Sequence, residues 1–322
     1  MERILGIKAD FLTSTHKTKI ERVAVAHGFT VHYFTDEADL DAAIGQCEIL
    51  YGYIPPAKLH SAASLRWLAC ASSGVEQYTA NFLYPHPGII LTNSAGAYGI
   101  TISEHIIMTM LMLMRRIPEY SANAAAHQWK SLGRIHSIYG SVLTVIGTGD
   151  IGTAFAQRAK AMGAAHIRGV HRTNKPLPRC FDESYAVEDL DFALAGADAV
   201  VICVPETKKT ENLLSRERLE LLKRSSVLIN VGRGSCLDQN ALMDLLNTGK
   251  IAGAALDVTT PEPLPPDHPL WRTKNLIITP HVSGNMTLDI TCDLDVGMFC
   301  DNFTRYCRNQ PMKHVVEPSI GY

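Results

Sequence analysis

The sequence predicts an α/β protein of two domains, the larger one built on a doubly wound parallel sheet. A short apolar run, Val142–Ile146, is followed by Gly147, Gly149 and Gly152 and then by apolar residues at helical spacing. Strand-like and helix-like segments alternate along most of the chain, as they do where helices connect parallel strands. A length of 322 residues favours two domains over a single core.

The first hundred residues predict the smaller domain, an α/β domain of the flavodoxin-like kind. Its predicted strands are short runs of apolar residues: Ile4–Ile7, Thr30–Phe34, Glu48–Tyr51, Leu65–Ala69 and Ile89–Thr92. After the fourth strand comes a turn at Ser73, Gly74 and Val75, whose backbone N–H groups could gather around an anion. An ordinary turn between a strand and a helix is an equally good interpretation of the same residues.

From Ser103 the pattern changes to a helix that is apolar nearly all round. We expect Ser103 to cap it, the helix to run to about Arg116, and Pro118 to end it. Such a helix is typically buried between domains or subunits. The irregular stretch that follows, up to Tyr139, is better explained by a subunit interface than by solvent, so we expect a homodimer.

The glycine turn after Val142–Ile146 is typical of dinucleotide binding, because it joins a strand to a helix in G-x-G-x-x-G spacing. The first glycine allows the tight turn, the second lets the backbone approach a pyrophosphate, and the third lets the helix pack on the strand. The N–H groups at the start of the helix would then point at the phosphates. The cofactor-binding residues predicted here are Gly147, Gly149, Asp150, Ile151 and Gly152.

This turn opens the second domain, for which six parallel strands are predicted. The five later strands are His166–Val170, Ala199–Val204, Val227–Val231, Ile251–Leu256 and Leu276–Ile278. Helices are predicted at Glu211–Lys223 and Asn240–Leu246. An amphipathic segment from about Leu288 to Arg305 follows, and we expect it to return to the first domain. The predicted domains are therefore 1–100 plus 286–322, which binds substrate, and 101–285, a Rossmann domain that binds the dinucleotide.

The end of the second strand of the Rossmann domain bears on which nicotinamide cofactor fits. An Asp or Glu there would accept hydrogen bonds from a ribose 2′-hydroxyl and repel a 2′-phosphate. This chain instead has His171, Arg172, Thr173, Asn174 and Lys175. Arginine can hold a phosphate through paired, charge-assisted hydrogen bonds. The sequence favours NADP(H), with NAD(H) as the alternative; a solvated loop with no role in this choice is the plainer interpretation.

Composition argues against several kinds of partner. The net charge is -2 and no basic stretch is present, so we expect no nucleic acid. The most apolar helical run, Ile106–Met114, is too short to span a bilayer, and the N-terminus lacks the apolar core of a signal peptide. The eight cysteines are scattered, which is typical of reduced thiols. We expect a cytoplasmic protein with no membrane contact and no metal site.

Three further segments carry a resemblance to a known family. They are Ile229–Gly234, then Ala255–Val258 with Pro261–Pro263, and finally Thr279–Gly284. With the glycine turn they resemble, in order and spacing, the D-isomer-specific 2-hydroxyacid dehydrogenases. The similarity covers essentially the whole chain and is weaker over the first hundred residues. Within the family, the run Asp257–Pro265 is most similar to the glyoxylate/hydroxypyruvate reductase branch.

The resemblance implies hydride transfer from NADPH or NADH to a small 2-keto acid such as glyoxylate or hydroxypyruvate, which gives the D-2-hydroxy acid. Arg233 would orient the acid and polarise its carbonyl, and His281 would donate the proton. Glu262 would hydrogen-bond the imidazole and favour its protonated form. Each of these residues alone could be a packed or solvated loop residue. Their joint occurrence after strands of one cofactor domain favours catalysis.

The resemblance also implies contacts around the reacting groups. Asp257 would contact the nicotinamide carboxamide, and the Ser73–Val75 amides would bind the substrate carboxylate together with Arg233 and a pocket wall at Tyr53. Further cofactor contacts are implied at Val204, Pro205, Thr210, Val231, Gly232, Ser283 and Gly284. Asp150 departs from the family pattern, since many relatives have an arginine there that faces the pyrophosphate. Its carboxylate would repel phosphate unless it points away or pairs.

Other functions compete with this interpretation. Formate dehydrogenases resemble the fold but pair the histidine with an amide residue, which Glu262 argues against. Many phosphoglycerate dehydrogenases carry a C-terminal regulatory domain, whereas this chain ends about 40 residues after His281; short forms stay open. A dinucleotide-sensing binding protein similar to the C-terminal-binding corepressors can keep the same Arg, Glu and His. Turnover of a small keto acid would separate that class from an enzyme.

Overall fold

The computed structural model describes residues 2–172 and 176–317. The chain divides into two compact units: residues up to Tyr98 together with those from Met286 onward, and Gly99–Asn285. The strands are β1 (Arg3–Lys8), β2 (Phe29–Tyr33), β3 (Cys47–Gly52), β4 (Trp67–Cys70), β5 (Ile90–Thr92), β6 (Val142–Ile146), β7 (His166–His171), β8 (Glu183–Ala186), β9 (Ala199–Ile202), β10 (Val227–Asn230), β11 (Gly253–Leu256) and β12 (Leu276–Ile278). The α-helices are α1 (Ser14–Ala26), α2 (Glu37–Ala43), α3 (Gly99–Met114), α4 (Ile117–Ala125), α5 (Asp150–Ala161), α6 (Leu190–Leu194), α7 (Arg216–Glu220), α8 (Gln239–Asn247) and α9 (Asp289–Cys307). The assignment of substrate binding to one unit and cofactor binding to the other stays a prediction.

The first unit contains a five-stranded sheet in the order β2-β1-β3-β4-β5. Each neighbouring pair of strands is parallel. This is the flavodoxin-like order, and all five strands expected from the sequence are present. The predicted fold class of this unit is therefore confirmed.

Helix α9 covers one face of that sheet, as the amphipathic pattern predicted. The ring of Phe299 stacks on Tyr51 with 4.0 Å between ring centroids and on Trp67 with 5.4 Å. Val296 and Phe303 are also buried in this cluster. Burying a large apolar side chain contributes about 2 kcal/mol, so the contacts of α9 hold the C-terminal segment firmly on the unit.

The second unit contains a seven-stranded parallel sheet in the order β12-β11-β10-β9-β6-β7-β8. The order reverses between β6 and β9, so this is the doubly wound arrangement that the glycine turn predicted. The expected number of six strands was wrong, because β8 pairs with β7 at the edge of the sheet. Its sequence, Glu-Ser-Tyr-Ala, is mostly exposed and carries no apolar run that would indicate a strand.

Helix α3 begins at Gly99, so Ser103 is not its cap. Ser103 lies one turn inside the helix, where its hydroxyl donates to the carbonyl of Ile100 at 2.9 Å. The helix contacts α5, β10 and β11 of its own unit and buries Ile106 and Met110 completely. In the described part of the chain no helix has the length and apolar character that crossing a membrane requires.

Pro118 does not end α3 but lies in the first turn of a second helix, α4. The break comes at Arg116, whose φ of 60° is left-handed. Proline is tolerated in a first turn because the N–H it lacks would have no partner within the helix. The stretch expected to be irregular therefore begins with a helix.

Candidate active site

The glycine turn between β6 and α5 has the geometry that a pyrophosphate requires. Gly147 has a φ of +99°, and a Cβ there would lie 2.7 Å from the carbonyl oxygen of Cys203. A Cβ on Gly152 would overlap the carbonyl of Gly147. At Gly149, the N-cap of α5, nothing described lies within 4 Å of where a Cβ would stand, and no described side chain caps the helix. The start of α5 therefore has open space beside Gly149 and no described side-chain cap, which leaves room for a phosphate.

Asp150, in the first turn of α5, has its carboxylate against the start of α3. The oxygens would lie 2.5 and 2.9 Å from a Cβ on Gly99, the first residue of that helix. A helix N-terminus attracts negative charge, so this direction is electrostatically favourable. The departure from the family pattern at Asp150 thus has a local counterpart, the missing side chain of Gly99.

The loops after β9 and β10 are tied together close to the glycine turn. The Thr210 hydroxyl donates to the carbonyl of Pro205 at 2.7 Å and accepts the N–H of Thr207 at 2.8 Å. A Cβ on Gly232 would lie 2.6 Å from the carbonyl oxygen of Val204. The structure therefore brings the predicted cofactor residues of these two loops, which include the buried Val231, to one edge of the sheet.

The predicted ribose-binding residues lie at the end of β7 and directly after it. The Nε2 atom of His171 lies 2.6 Å from the Ser184 hydroxyl on β8. Arg172 is exposed. Thr173, with Asn174 and Lys175, lies outside the described residues. The argument for a 2′-phosphate therefore depends on Arg172.

The loop that carries Arg233 is held by Asn230, a role that the sequence did not reveal. Asn230 is fully buried at the end of β10, and its Nδ2 donates to the carbonyl of Arg233 at 2.9 Å. Its Oδ1 accepts the N–H of Gly232 at 3.0 Å. A Cβ on Gly234 would overlap the backbone of Thr259, so the loops after β10 and β11 touch. The one available signal was an amide residue that ends an apolar strand.

His281 and Glu262 form a direct pair. Nδ1 of His281 lies 2.5 Å from Oε1 of Glu262, and the side chains are 48% and 39% exposed. His281 has a left-handed φ of 51°, and Glu262 stands between two cis X-Pro peptide bonds. The Nδ1 atom is thus engaged by the carboxylate, and Nε2 is the ring nitrogen that takes no part in this pair.

Asp257 organises the loop that presents His281. Its carboxylate accepts the Thr279 hydroxyl at 2.6 Å and the backbone N–H groups of Val282 and Ser283 at 3.0 Å each. The backbone N–H of His281 also donates to the Asp257 carbonyl at 2.8 Å. Burial pushes the pKa of Asp257 upward, but the hydrogen bonds outweigh it and leave that pKa below its usual range. Its contact with the nicotinamide stays a prediction.

His105 extends this network, again without having been predicted. Its Nε2 lies 3.3 Å from the Thr279 hydroxyl oxygen. Because Thr279 donates its hydrogen to Asp257, that oxygen accepts from a protonated Nε2. Burial lowers the pKa of His105, and the charge of Asp257 opposes part of that effect. A neutral histidine on α3 therefore supports the carboxylate that holds the His281 loop.

In the first unit, the Ser73–Val75 turn leaves its amides unused. Within residues 2–172 and 176–317, no hydrogen bond is donated by the backbone N–H of Ser73, Gly74 or Val75. The carbonyl of Ala71 just before the turn accepts from the hydroxyls of Tyr53 at 2.8 Å and Tyr98 at 2.6 Å. The structure thus brings Tyr53 to the turn, with three consecutive N–H donors available for an anion.

The chain was compared with known proteins. A model for the NAD binding domain of D-isomer specific 2-hydroxyacid dehydrogenases matches residues 107–283. An uncharacterised protein of Corynebacterium melassecola is 35% identical over 60% of this chain and 63% of that protein. The D-3-phosphoglycerate dehydrogenase of Archaeoglobus fulgidus is 30% identical over 81% of this chain and 49% of the enzyme. For glyoxylate/hydroxypyruvate reductase B of Pectobacterium carotovorum the identity is 30%, over 81% of this chain and 82% of the reductase. The chain spans less than two thirds of the first two relatives.

Two solved structures are similar over nearly the whole chain. A D-isomer specific 2-hydroxyacid dehydrogenase family protein from Aeromonas salmonicida has a TM-score of 0.84 at 30% identity, covering 99% of this chain and 100% of that one. A D-isomer specific 2-hydroxyacid dehydrogenase from Xanthobacter autotrophicus, in complex with NADPH and MES, has a TM-score of 0.84 at 25% identity and covers 100% of both chains.

Proposed function

The chain belongs to the D-isomer-specific 2-hydroxyacid dehydrogenase family, whose members are NAD(P)-dependent oxidoreductases, and from this premise we propose that it reduces a small 2-keto acid such as glyoxylate or hydroxypyruvate to the D-2-hydroxy acid. The observation that carries the proposal is the pairing of His281 with Glu262 at 2.5 Å, on loops at the sheet edge that also carries Arg233. These residues supply the proton donor, its orienting carboxylate and a fixed cation.

In the proposed reaction, His281 gives the proton on Nε2 to the alkoxide oxygen that forms from the substrate carbonyl. Glu262 holds Nδ1, which fixes the direction of the ring and stabilises its positive charge before the transfer. Arg233 draws electron density toward the carbonyl oxygen and pairs with the acid group. Its backbone is held by the buried Asn230, and its guanidinium donates from Nη1 to the carbonyl of Gly232 at 2.8 Å.

For the cofactor we propose NADP(H), held by the glycine turn and the amides of α5. A bound nicotinamide supplies the hydride. The side chain of Arg172, with no carboxylate at the end of β7, supports a 2′-phosphate, and the Xanthobacter relative was solved with NADPH. Asp257, Ser283 and Gly284 would contact the nicotinamide end. NAD(H) is the alternative that the assay below tests.

The Ser73–Val75 amides are proposed to bind the substrate carboxylate, with Tyr53 beside them. The support is that three successive backbone N–H groups, for which no hydrogen bond is described within residues 2–172 and 176–317, are available as donors to a carboxylate. At 30% identity over 81% of this chain, the D-3-phosphoglycerate dehydrogenase is as similar as the reductase, so 3-phosphohydroxypyruvate is the competing substrate.

We also propose that the protein is a homodimer. Trp129 is fully exposed and Tyr139 is 77% exposed in the segment after α4. Two large aromatic side chains exposed on one irregular segment are typical of an interface. Light scattering after size exclusion should give twice the chain mass, and a Trp129→Ser variant should shift the protein toward the monomer; a monomeric parent would contradict the proposal.

The assay is loss of NADPH or NADH absorbance with glyoxylate, hydroxypyruvate and 3-phosphohydroxypyruvate in parallel. We expect turnover of the two small acids, faster with NADPH, and a drop of about a thousandfold in kcat for His281→Gln with unchanged NADPH affinity. The control is His60→Gln, which alters an exposed histidine of the first unit. Faster turnover of 3-phosphohydroxypyruvate would overturn the proposed substrate and favour a phosphoglycerate dehydrogenase. Cofactor binding without turnover of any acid would favour a dinucleotide-sensing binding protein.

A further inference from the structure

A buried carboxylate in the first unit has no part in the proposed chemistry. Asp295 lies on the sheet-facing side of α9 and is 1% exposed. Its Oδ2 accepts the hydroxyl of Tyr51 on β3 at 2.5 Å. Its Oδ1 accepts a short hydrogen bond from the hydroxyl of Ser94, which follows β5. A buried acid is costly to ionise, so its retention among apolar neighbours calls for a specific reason.

Ser94 connects Asp295 to the turn with the unused amides. Its hydroxyl oxygen also lies 2.8 Å from the carbonyl oxygen of Cys70, the last residue of β4. Its backbone N–H donates to the carbonyl of Ser72 at 3.0 Å. The preceding Asn93 donates from Nδ2 to the carbonyl of Ser73 at 3.1 Å. Two adjacent residues thus hold three carbonyl groups of the segment that leads into the turn.

A peptide group whose carbonyl is fixed on one side presents the following N–H on the other, because the peptide unit is planar. Fixing the carbonyls of Ser72 and Ser73 therefore sets the directions of the Ser73 and Gly74 N–H groups. Ser94 and Asn93 act on the geometry of the anion site without touching an anion.

We infer that Asp295 is a positioning residue for this turn, and that its protonation state, passed on through Ser94, sets the affinity for the substrate carboxylate. The inference rests on the proposed function of the turn. It makes binding of the keto acid tighter when Asp295 is neutral and weaker when Asp295 is charged.

The two states follow from the single hydrogen of the Ser94 hydroxyl. When Asp295 is ionised, that hydrogen is drawn to the carboxylate, and the Cys70 carbonyl loses it. When Asp295 is protonated, the acid donates to Ser94, which donates in turn to the carbonyl of Cys70 and so fixes both Ser94 and the end of the strand that leads into the turn. The charge acts in the same direction, since a buried anion near the turn repels an incoming carboxylate.

The titration falls in an accessible range. Burial raises the pKa of Asp295 to about 6, and the hydrogen bonds from Ser94 and Tyr51 only partly oppose it. The titratable groups that face it, from α1, the sheet, the strand ends and its own helix, are His16, Tyr51, Tyr53, Cys70, Tyr98, Cys292 and Cys300. The pKa values of the phenols and thiols are raised by burial, so these groups stay neutral. His16 is paired with Asp293 at 2.8 Å.

The test is the pH dependence of KM and kcat for glyoxylate in the wild type and in Asp295→Asn. The asparagine keeps one donor and one acceptor in place of the neutral acid. We expect the wild-type KM to rise about tenfold between about pH 5 and pH 7.5, and the variant to keep the low KM throughout. Asp295→Asn leaves His281 and Glu262 unchanged, so kcat should have the same pH profile in both proteins. Asp293→Asn, on the same helix but 64% exposed, should follow the wild type, and His16→Gln should too.

Hydrogen exchange of a peptide spanning residues 71–79, corrected for the intrinsic rate at each pH, reports on the turn without turnover. We expect slower exchange in Asp295→Asn than in the wild type at neutral pH and equal exchange in acid. If no keto acid is reduced, the proposed function fails while this readout still tests the positioning role. Equal exchange and the same KM profile in both proteins would overturn the inference, as would a KM change that follows His16.

Discussion

Each of the two units buries one aspartate beside a loop for which we propose a role, and the two aspartates differ in the direction in which their pKa is shifted. Asp257 is 2% exposed and Asp295 is 1% exposed. Burial raises the pKa of both carboxyls, yet the pKa of Asp257 ends below its usual range and that of Asp295 rises to about 6.

The difference lies in the donors. Asp257 receives two backbone N–H groups, which cannot turn away, together with one threonine hydroxyl. Asp295 receives two rotatable hydroxyls, and Ser94 has a second acceptor in the Cys70 carbonyl. Backbone N–H donors stabilise the ionised carboxylate and lower its pKa. Hydroxyls that can rotate toward another acceptor stabilise it less, so the carboxyl takes up a proton more readily.

The largest effect is expected for Asp257→Asn. An amide in this place presents N–H groups to fixed donors and leaves part of the set unsatisfied, so the free energy of unfolding should fall by about 4 kcal/mol. The His281 loop should lose its position and kcat/KM should fall about a hundredfold. Urea denaturation and steady-state assays measure the two. The control is Asp267→Asn, which alters an exposed carboxylate of the same unit. Equal losses of stability and of kcat/KM in both variants would show that the buried Asp257 carboxylate has no special role.

Asp295→Asn should have the opposite sign. A carboxyl whose pKa is raised in the fold stabilises it least when ionised, so the wild type loses stability as pH rises from about 4 to about 6. The variant avoids that loss and should unfold with a free energy up to about 3 kcal/mol larger at neutral pH, with no gain near pH 4. Denaturation of both proteins at several pH values measures it. A variant less stable than the wild type at neutral pH would contradict the comparison.

Thr279→Val tests whether side-chain hydroxyls matter on the Asp257 side. The change removes the donor to Asp257 and the acceptor for His105, and the free energy of unfolding should fall by about 1.5 kcal/mol. Thr279→Ser restores the hydroxyl and should recover most of it. If valine and serine behave alike in urea denaturation, the two backbone donors alone hold the carboxylate.

The smallest effect is expected for Tyr51→Phe. The ring keeps its stacking on Phe299, but Asp295 loses one of its two hydroxyl donors. The pKa of Asp295 should rise further. The midpoint pH of the stability difference between Tyr51→Phe and the double variant Tyr51→Phe, Asp295→Asn should therefore lie about one unit higher than the midpoint between wild type and Asp295→Asn. An unmoved inflection would show that the hydrogen bond from Tyr51 does not lower the pKa of Asp295.

Local patterns predicted the fold class and the family, and both are confirmed. Strands such as Val142–Ile146 have apolar sequences that predict them directly. The glycine turn follows this strand, at which the strand order of the sheet reverses. The errors come from residues whose role depends on context. Ser103 bonds within its own helix, Pro118 sits where proline is tolerated, and β8 is an edge strand held by pairing.

The candidate site was predictable to the extent that its residues lie in short motifs. Arg233, Glu262 and His281 stand in runs that resemble the family, and their roles stay predictions. Asn230 and Thr279 lie in the same runs, but their hydrogen bonds depend on the neighbouring loop. Nothing local links Ser94 to Asp295, which is 201 positions away, because folding alone brings them together.

The separation of Ser94 and Asp295 along the chain has a consequence for synthesis on the ribosome. Gly99–Asn285 is one continuous stretch, whereas the first unit needs α9 to cover Trp67 and Tyr51. Domains fold as their residues emerge from the ribosome, so the Gly99–Asn285 unit can fold before α9 is available to pack on the sheet of the first unit. Until α9 emerges, Trp67 and Tyr51 lack the aromatic ring that covers them, and Asp295 is not yet in place beside Ser94.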